Sequence, residues 1–242
     1  MTRSPLAPRK RVGAVPKRRQ SATPALPPVA MRAQILAVAA RQFSERGYAT
    51  TTLRTIADAA GIKAGSIYYH FQGKDEIAAG VLDAGIEAIS EAVRARLDAL
   101  PARADARTRL AAAVTGHLWG MLHHGEFTAA HIRIYRYVSD AARRRHEPVR
   151  VAYTSLWDGL LGGAAAAGGL RRDVPVKLVR QFLIGALNWP VDWYDAGRGN
   201  FDEFAAQMTA MVCDGIVAAA SPARPSRPKH AGAQRRGAET RA

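Results

Sequence analysis

The chain has 242 residues and a net charge of +15, from 35 Lys and Arg against 20 Asp and Glu, with a pI near 10.8. That length can bury a real core in one large or two small domains, and the single cysteine, Cys213, excludes an internal disulfide and suits a reducing, cytoplasmic setting. No apolar run reaches the roughly 18 residues of a membrane span, because the best candidate, 151–170, is broken by Asp158 and glycines, and the first thirty residues lack the apolar stretch of an export signal.

The charge is uneven. Residues 1–30 carry seven basic side chains and no acid, and residues 221–242 carry six against Glu239, so the two ends hold +12 and the middle only +3. Both ends are rich in Pro, Arg, Ala and Ser and poor in large apolar residues, which predicts disordered basic tails over 1–30 and 221–242.

Between the tails the apolar spacing is helical throughout. A first amphipathic helix is predicted over 31–46, with Ile35, Leu36, Ala39 and Phe43 on one face and Gly47 at its end. Next, Leu53, Ile56, Ala57 and Ala60 mark one face of a helix over 52–60 that Thr51 or Thr52 can cap and Gly61 ends. A short helix over 64–70 follows, burying Ile62, Ile67 and Phe71 and leaving Lys63, Ser66, Tyr69 and His70 outward. The pair is a helix-turn-helix with a short recognition helix. A long helix over 74–99 opens with Asp75 and Glu76, where the helix dipole favours anions, and stops before Pro101. Further helices are predicted near 105–124, 125–138, 147–168, 175–196 and 201–220. No stretch alternates like a strand, so the fold class is all-α.

Phe43, Gly47-Tyr48, Thr51-Thr52-Leu53, Ile56-Ala57, Ala60-Gly61, Gly65-Ser66-Ile67-Tyr68, His70-Phe71 and Lys74 fall in an ungapped pattern over residues 31–80 that resembles the TetR family of bacterial transcriptional regulators. The resemblance implies a three-helix DNA-binding head over 31–75 and a helical effector-binding and dimerisation domain over 76–220. It carries contact with a double-stranded DNA operator onto Thr52, Arg54, Lys63, Ala64, Gly65, Ser66, Tyr68, Tyr69, His70 and Lys74. The chemistry agrees: Arg54 can reach a guanine edge or a phosphate, tyrosine hydroxyls and Lys74 suit phosphate oxygens, and Gly65 lets the backbone approach closely. Lys63 and Ala64 depart from the family's pattern, in which a Ser-like cap and a longer polar side chain are common, and Ala64 can at most touch a thymine methyl. So short a recognition helix reads few bases, which implies a homodimer on a palindrome. In such proteins the last two long helices pair with their copies, and here Phe182, Ile184, Phe204, Met208, Met211 and Val212 would supply the surface.

The segments YTSLWDGLL and LIGALNWPVDWY are similar to those of the TetR subgroup that responds to acyl-CoA thioesters. An apolar effector pocket is therefore expected to draw on Trp119, Leu122, Tyr135, Trp157, Leu160, Leu183, Leu187 and Asn188. Pro190 should kink its helix and leave a polar point beside Asn188. Arg133, Arg136, Arg143, Arg144 and Arg145 are candidates for the phosphates at a pocket mouth. His117, His123, His124 and His131 cluster in sequence at spacings that make poor metal geometry, and no P-loop, GxSxG, HExxH or GxGxxG occurs. No metal, cofactor or enzymatic activity is expected. The competing function is a non-specific, nucleoid-associated DNA-binding protein driven by the basic tails.

Overall fold

The computed structural model describes residues 27–214 apart from 124, 168, 169, 171–174, 196 and 198. Both predicted tails lie almost wholly outside these residues. The described part is all-α, in chain order α1 Pro28–Arg46, α2 Leu53–Ala60, η1 Ala64–Tyr69, α3 Lys74–Asp98, α4 Ala106–His123, α5 Glu126–Ile134, α6 Asp140–Ala166, α7 Val176–Asn188, η2 Trp189–Asp192 and α8 Phe201–Asp214. None of its helices is long and apolar enough to cross a membrane.

Local chemistry explains most boundaries. Thr52 caps α2: its hydroxyl accepts the Thr55 N–H at 3.1 Å, and the Thr55 hydroxyl accepts the Thr52 N–H at 3.1 Å. Gly61, at φ 71°, takes the left-handed turn that ends α2, and the Ile62 N–H closes back on the Ala57 carbonyl at 3.0 Å. Thr51 is buried and donates to the Gly47 carbonyl instead.

Three expectations need correction. First, α1 begins at Pro28, so residues 28–30 are helical and not tail; proline suits a first turn because its missing N–H has no intrahelical partner there. Second, the recognition segment is a 3₁₀ helix over Ala64–Tyr69, with Ser66 N–H on the Lys63 carbonyl and His70 N–H on that of Ile67. A piece so short, held between two turns, takes the tighter winding. Third, the helix expected from 147 begins seven residues earlier, where Ser139 accepts the Ala142 N–H, and Pro148 lies inside it. Pro190 acts as foreseen: α7 stops at Asn188 and continues as the 3₁₀ turn η2.

Two apolar cores are strung along α3. The first joins Ile35, Phe43, Ile56, Ile67, Phe71, Ile77 and Leu82 to Ala130, Ile134, Val138 and Ala142, so α5 and the start of α6 complete the packing beneath the helix-turn-helix. The second joins Ile86, Ile89 and Val93 to Val114, Leu118, Met121, Trp157, Leu161, Leu183 and Leu187. The crossing of α3 with α4 is set by glycine: a Cβ on Gly120 would stand 2.6 Å from Ile89 Cα, and one on Gly116 2.7 Å from Val93 Cα.

Candidate DNA-recognition face and effector chamber

The helix-turn-helix is pinned from below. Ile67 and Phe71 are buried, and Arg32 of α1 lays its guanidinium 4.0 Å over the Phe71 ring while donating to the His70 carbonyl at 2.8 Å. What remains outward is polar or flat. Arg54, Lys63, Ala64 and Gly65 are exposed, and Tyr68 and Tyr69 are 63% and 88% exposed. Ser66 and His70 are half-buried, and the Thr52 hydroxyl, though exposed, is already engaged in its cap.

Lys74 is half-buried as well, with its ammonium 4.1 Å over the Tyr48 ring. Burial holds its pKa below the usual lysine value, partly offset by Asp75. Tyr48 donates to Asp75, and burial followed by that bond pushes its phenol up. Glu76 accepts the Gln72 N–H at 2.8 Å and pairs with Arg32 at 3.8 Å and Arg145 at 3.6 Å, which ties the first turn of α3 to both α1 and α6. The sequence singles out Tyr48 in the motif and Asp75 and Glu76 at a helix start, but neither Arg32 nor these pairings, because the partners lie on other elements.

The eight residues expected to line one effector pocket have different surroundings. Trp157, Leu183 and Leu187 are core side chains, and Leu122 is half-buried against that same core. Trp119 faces outward, stacked on His123 with ring centroids 3.7 Å apart and edge-on to Phe201. Tyr135 belongs to the first core, beside His131 and His146. Leu160 borders a groove of about 590 Å³ with Leu97, Arg109, Leu156 and Gly159, while Asn188 borders a separate cavity of about 290 Å³ with Ile132, Arg133, Arg136, Trp189 and Asp192. Helical periodicity selects the inward face of each helix, but not the neighbour that fills the space in front of it.

A polar chain crosses the second core. Tyr153 donates to His117 Nδ1 at 2.7 Å, and His117 Nε2 donates to Asn188 Oδ1 at 3.1 Å; the carbonyl oxygen can only accept, which fixes this tautomer. Burial lowers the His117 pKa to about 4, against the opposing pull of Asn188, so the ring is neutral. Burial pushes the Tyr153 phenol up, and the Trp157 indole N–H pulls it back in part. That indole nitrogen is a buried donor with no acceptor in full hydrogen-bond geometry among the described residues. His117 and Tyr153, absent from the expected set, are thus the residues that make Asn188 matter.

The arginines divide. Arg143 pairs with Asp140 on its own helix at 2.6 Å, whereas Arg145 pairs with Glu76 and donates to Gln72 Oε1 at 3.3 Å, which puts Arg145 at the junction with the head. Arg144 is exposed. Arg133 and Arg136 do border the cavity at Asn188.

Two family models match, "Bacterial regulatory proteins, tetR family" over residues 35–81 and "Tetracyclin repressor-like, C-terminal domain" over 103–216. The HTH-type transcriptional repressor KstR2 of Rhodococcus jostii (strain RHA1) is 32% identical over 192 residues, covering 77% of this chain and 91% of the relative. Among solved structures, the ketosteroid transcriptional regulator KstR2 of Mycobacterium tuberculosis superposes with TM-score 0.63 at 28% identity, over 76% of this chain and 93% of that one. The superantigen PfiT gives TM-score 0.63 at 32% identity, over 77% and 97%. AibR in complex with isovaleryl coenzyme A and operator DNA shares the fold, with TM-score 0.65 at 21% identity, over 76% and 98%. Helix-turn-helix, helical body and both family models coincide on this chain: it belongs to the TetR family of bacterial regulatory proteins.

Proposed function

We propose that the protein is a homodimeric transcriptional repressor that occupies a palindromic operator and is released by a small hydrophobic effector, with an acyl-CoA thioester as the class that fits best. The observation that carries the DNA half is the outward stand of Arg54, Lys63, Tyr68 and Tyr69 on a helix-turn-helix whose inner side is locked by Ile67 and Phe71. The effector half is supported by the His117–Asn188 chain, which brings a polar point to the second core, and by the cavity at Asn188 with its two arginines. KstR2 is a repressor, and AibR accommodates a coenzyme A thioester and operator DNA in the same fold.

The test is a footprint on DNA flanking the protein's own gene, repeated with octanoyl-coenzyme A and with octanoate. Two protected half-sites about one helical turn apart, lost on adding the thioester, are expected. The second reading, non-specific DNA binding, is favoured by the +12 charge of the two ends. A diffuse footprint that vanishes when both ends are removed would select it over repression.

A further inference from the structure

Arg133 does two things at once. From α5, its guanidinium donates to the Ser44 hydroxyl of α1 at 2.8 Å and pairs with Asp192 of η2 at 3.4 Å. Ser44 belongs to the first helix of the DNA-binding head, one residue from the core side chain Phe43. Asp192 belongs to the turn that Pro190 creates after α7. One side chain therefore spans the head and the broken end of a body helix, on the rim of the 290 Å³ cavity that also holds Arg136, Asn188 and Trp189.

The charge around that cavity is unbalanced. Among the described residues that line it, Arg133 and Arg136 meet one carboxylate, Asp192, and the Arg133–Asp192 pair is long and exposed at 43% on each side, the kind of ion pair that holds its partners weakly. Ser44 is a still weaker claim on a guanidinium, since a neutral oxygen accepts one bond where a carboxylate or phosphate accepts two in parallel. Asn188 borders the cavity and also ends the buried chain through His117 to Tyr153, so one side chain links the cavity to the polar groups of the second core.

Resting on the effector-released repressor reading, we propose that this cavity takes the anionic end of the effector, a carboxylate or phosphate, and that Arg133 passes its arrival to the head by giving up Ser44 for the anion. The apolar remainder of the effector enters past Asn188. The mechanical link is short. α5 lies against α1, and its Ala130 and Ile134 are part of the core beneath the helix-turn-helix. A turn of Arg133 away from Ser44 removes a directed bond that fixes α1 to α5 and leaves the apolar packing there, which resists sliding less than a directed bond does. Arg133 is thus a two-state contact that both the anion and the head can bias, the physical requirement for coupling between sites.

The experiment uses the full-length protein with three probes, octanoate, coenzyme A and octanoyl-coenzyme A, binding being read by calorimetry and operator affinity by fluorescence anisotropy with and without each probe. Arg133→Gln is expected to weaken probe binding by about tenfold or more, as the loss of a charge-assisted bidentate contact requires, and Asp192→Asn to tighten it. Ser44→Ala is expected to bind the probe within about twofold of wild type while the ratio of operator affinities without and with probe, typically about 5- to 150-fold in such switches, shrinks toward one. All three side chains are partly or fully exposed, so the variants should fold, and circular dichroism checks this. Arg133-dependent binding of octanoate alone identifies the anion as a carboxylate, and Arg133-dependent binding of the coenzyme probes alone identifies it as a phosphate. Saturable binding of none of the three, binding that ignores Arg133→Gln, or a wild-type affinity ratio in Ser44→Ala overturns the inference. A sharp operator footprint surviving any of these results leaves the repressor reading standing.

Discussion

Arg54 is the side chain whose removal should be felt most at DNA and least in the fold. It is exposed in the first turn of α2 with the cap beside it supplied by Thr52, so nothing in the core depends on its guanidinium. Arg54→Ala is expected to weaken operator binding by about 1 to 3 kcal/mol, the range for an arginine at a base edge, and Tyr68→Phe to weaken it less through one lost hydroxyl. Both variants should melt with the wild type. Gel-shift titrations giving wild-type affinity for both would remove this face from DNA. His117 is the opposite case, a residue whose chemistry is felt inside. Its folded pKa, about 4, lies below the roughly 6.5 of an unfolded histidine, so the unfolded chain takes up the proton first as pH falls. The stability tied to its neutral form is fully present above pH about 6.5 and is lost as pH drops toward 4, by up to roughly 3 kcal/mol. Urea midpoints measured from pH 7 to 4.5 should therefore fall less steeply for His117→Gln than for wild type, and identical slopes would show that this ring does not set the acid response.

Glycine, more than any large side chain, decides how α3 meets α4, and α3 is the helix both cores share. An added methyl at Gly120 would meet the Ile89 backbone at 2.6 Å, where no flexible tip can give way, whereas one at Gly159 of α6 meets nothing within 4 Å. Gly120→Ala should accordingly lower Tm by roughly 3 to 9 °C through overpacking, while Gly159→Ala should hold or raise it by relieving helical glycine of its entropy cost. Differential scanning fluorimetry of the two variants checks the pair, and a neutral Gly120→Ala would mean that α3 and α4 stand further apart. The helix-turn-helix could be read from residues because its signals are local: Thr52, Gly61, and the i, i+3, i+4 face of α2 all act within one turn of themselves. The body could not be read so far. Pro148 resembles a helix start, and only the Ser139 cap with the packing of Ala142 and His146 shows that α6 continues through it. Trp119 and Trp157 look alike in sequence, yet one stacks at the surface and the other fills the core, a difference made by which helices cross in front of them.

A single copy of this chain leaves part of its last helices uncovered. On α7, Leu178 and Phe182 stand one turn apart and are 55% and 73% exposed, and Met211 of α8 is 48% exposed, whereas Ile184, Phe204, Met208 and Val212, also expected at an interface, are partly buried against the second core. Large apolar side chains left in water on one helix face suit a contact surface, and under the repressor reading proposed above the partner is a second copy. Phe182 would then sit where a few residues dominate the association energy. Phe182→Glu is expected to shift the protein from dimer to monomer at micromolar concentration in sedimentation equilibrium, with its helical content and the pH response of His117 unchanged because the side chain touches neither core. Operator affinity should fall by roughly a hundredfold or more in the same variant, since each head then binds its half-site without the effective concentration supplied by the other. Arg54→Ala, by contrast, should lose operator affinity as an intact dimer. The two variants therefore separate reading DNA from pairing to read it, and a Phe182→Glu protein that stays dimeric and binds the operator normally would move the interface away from this face of α7.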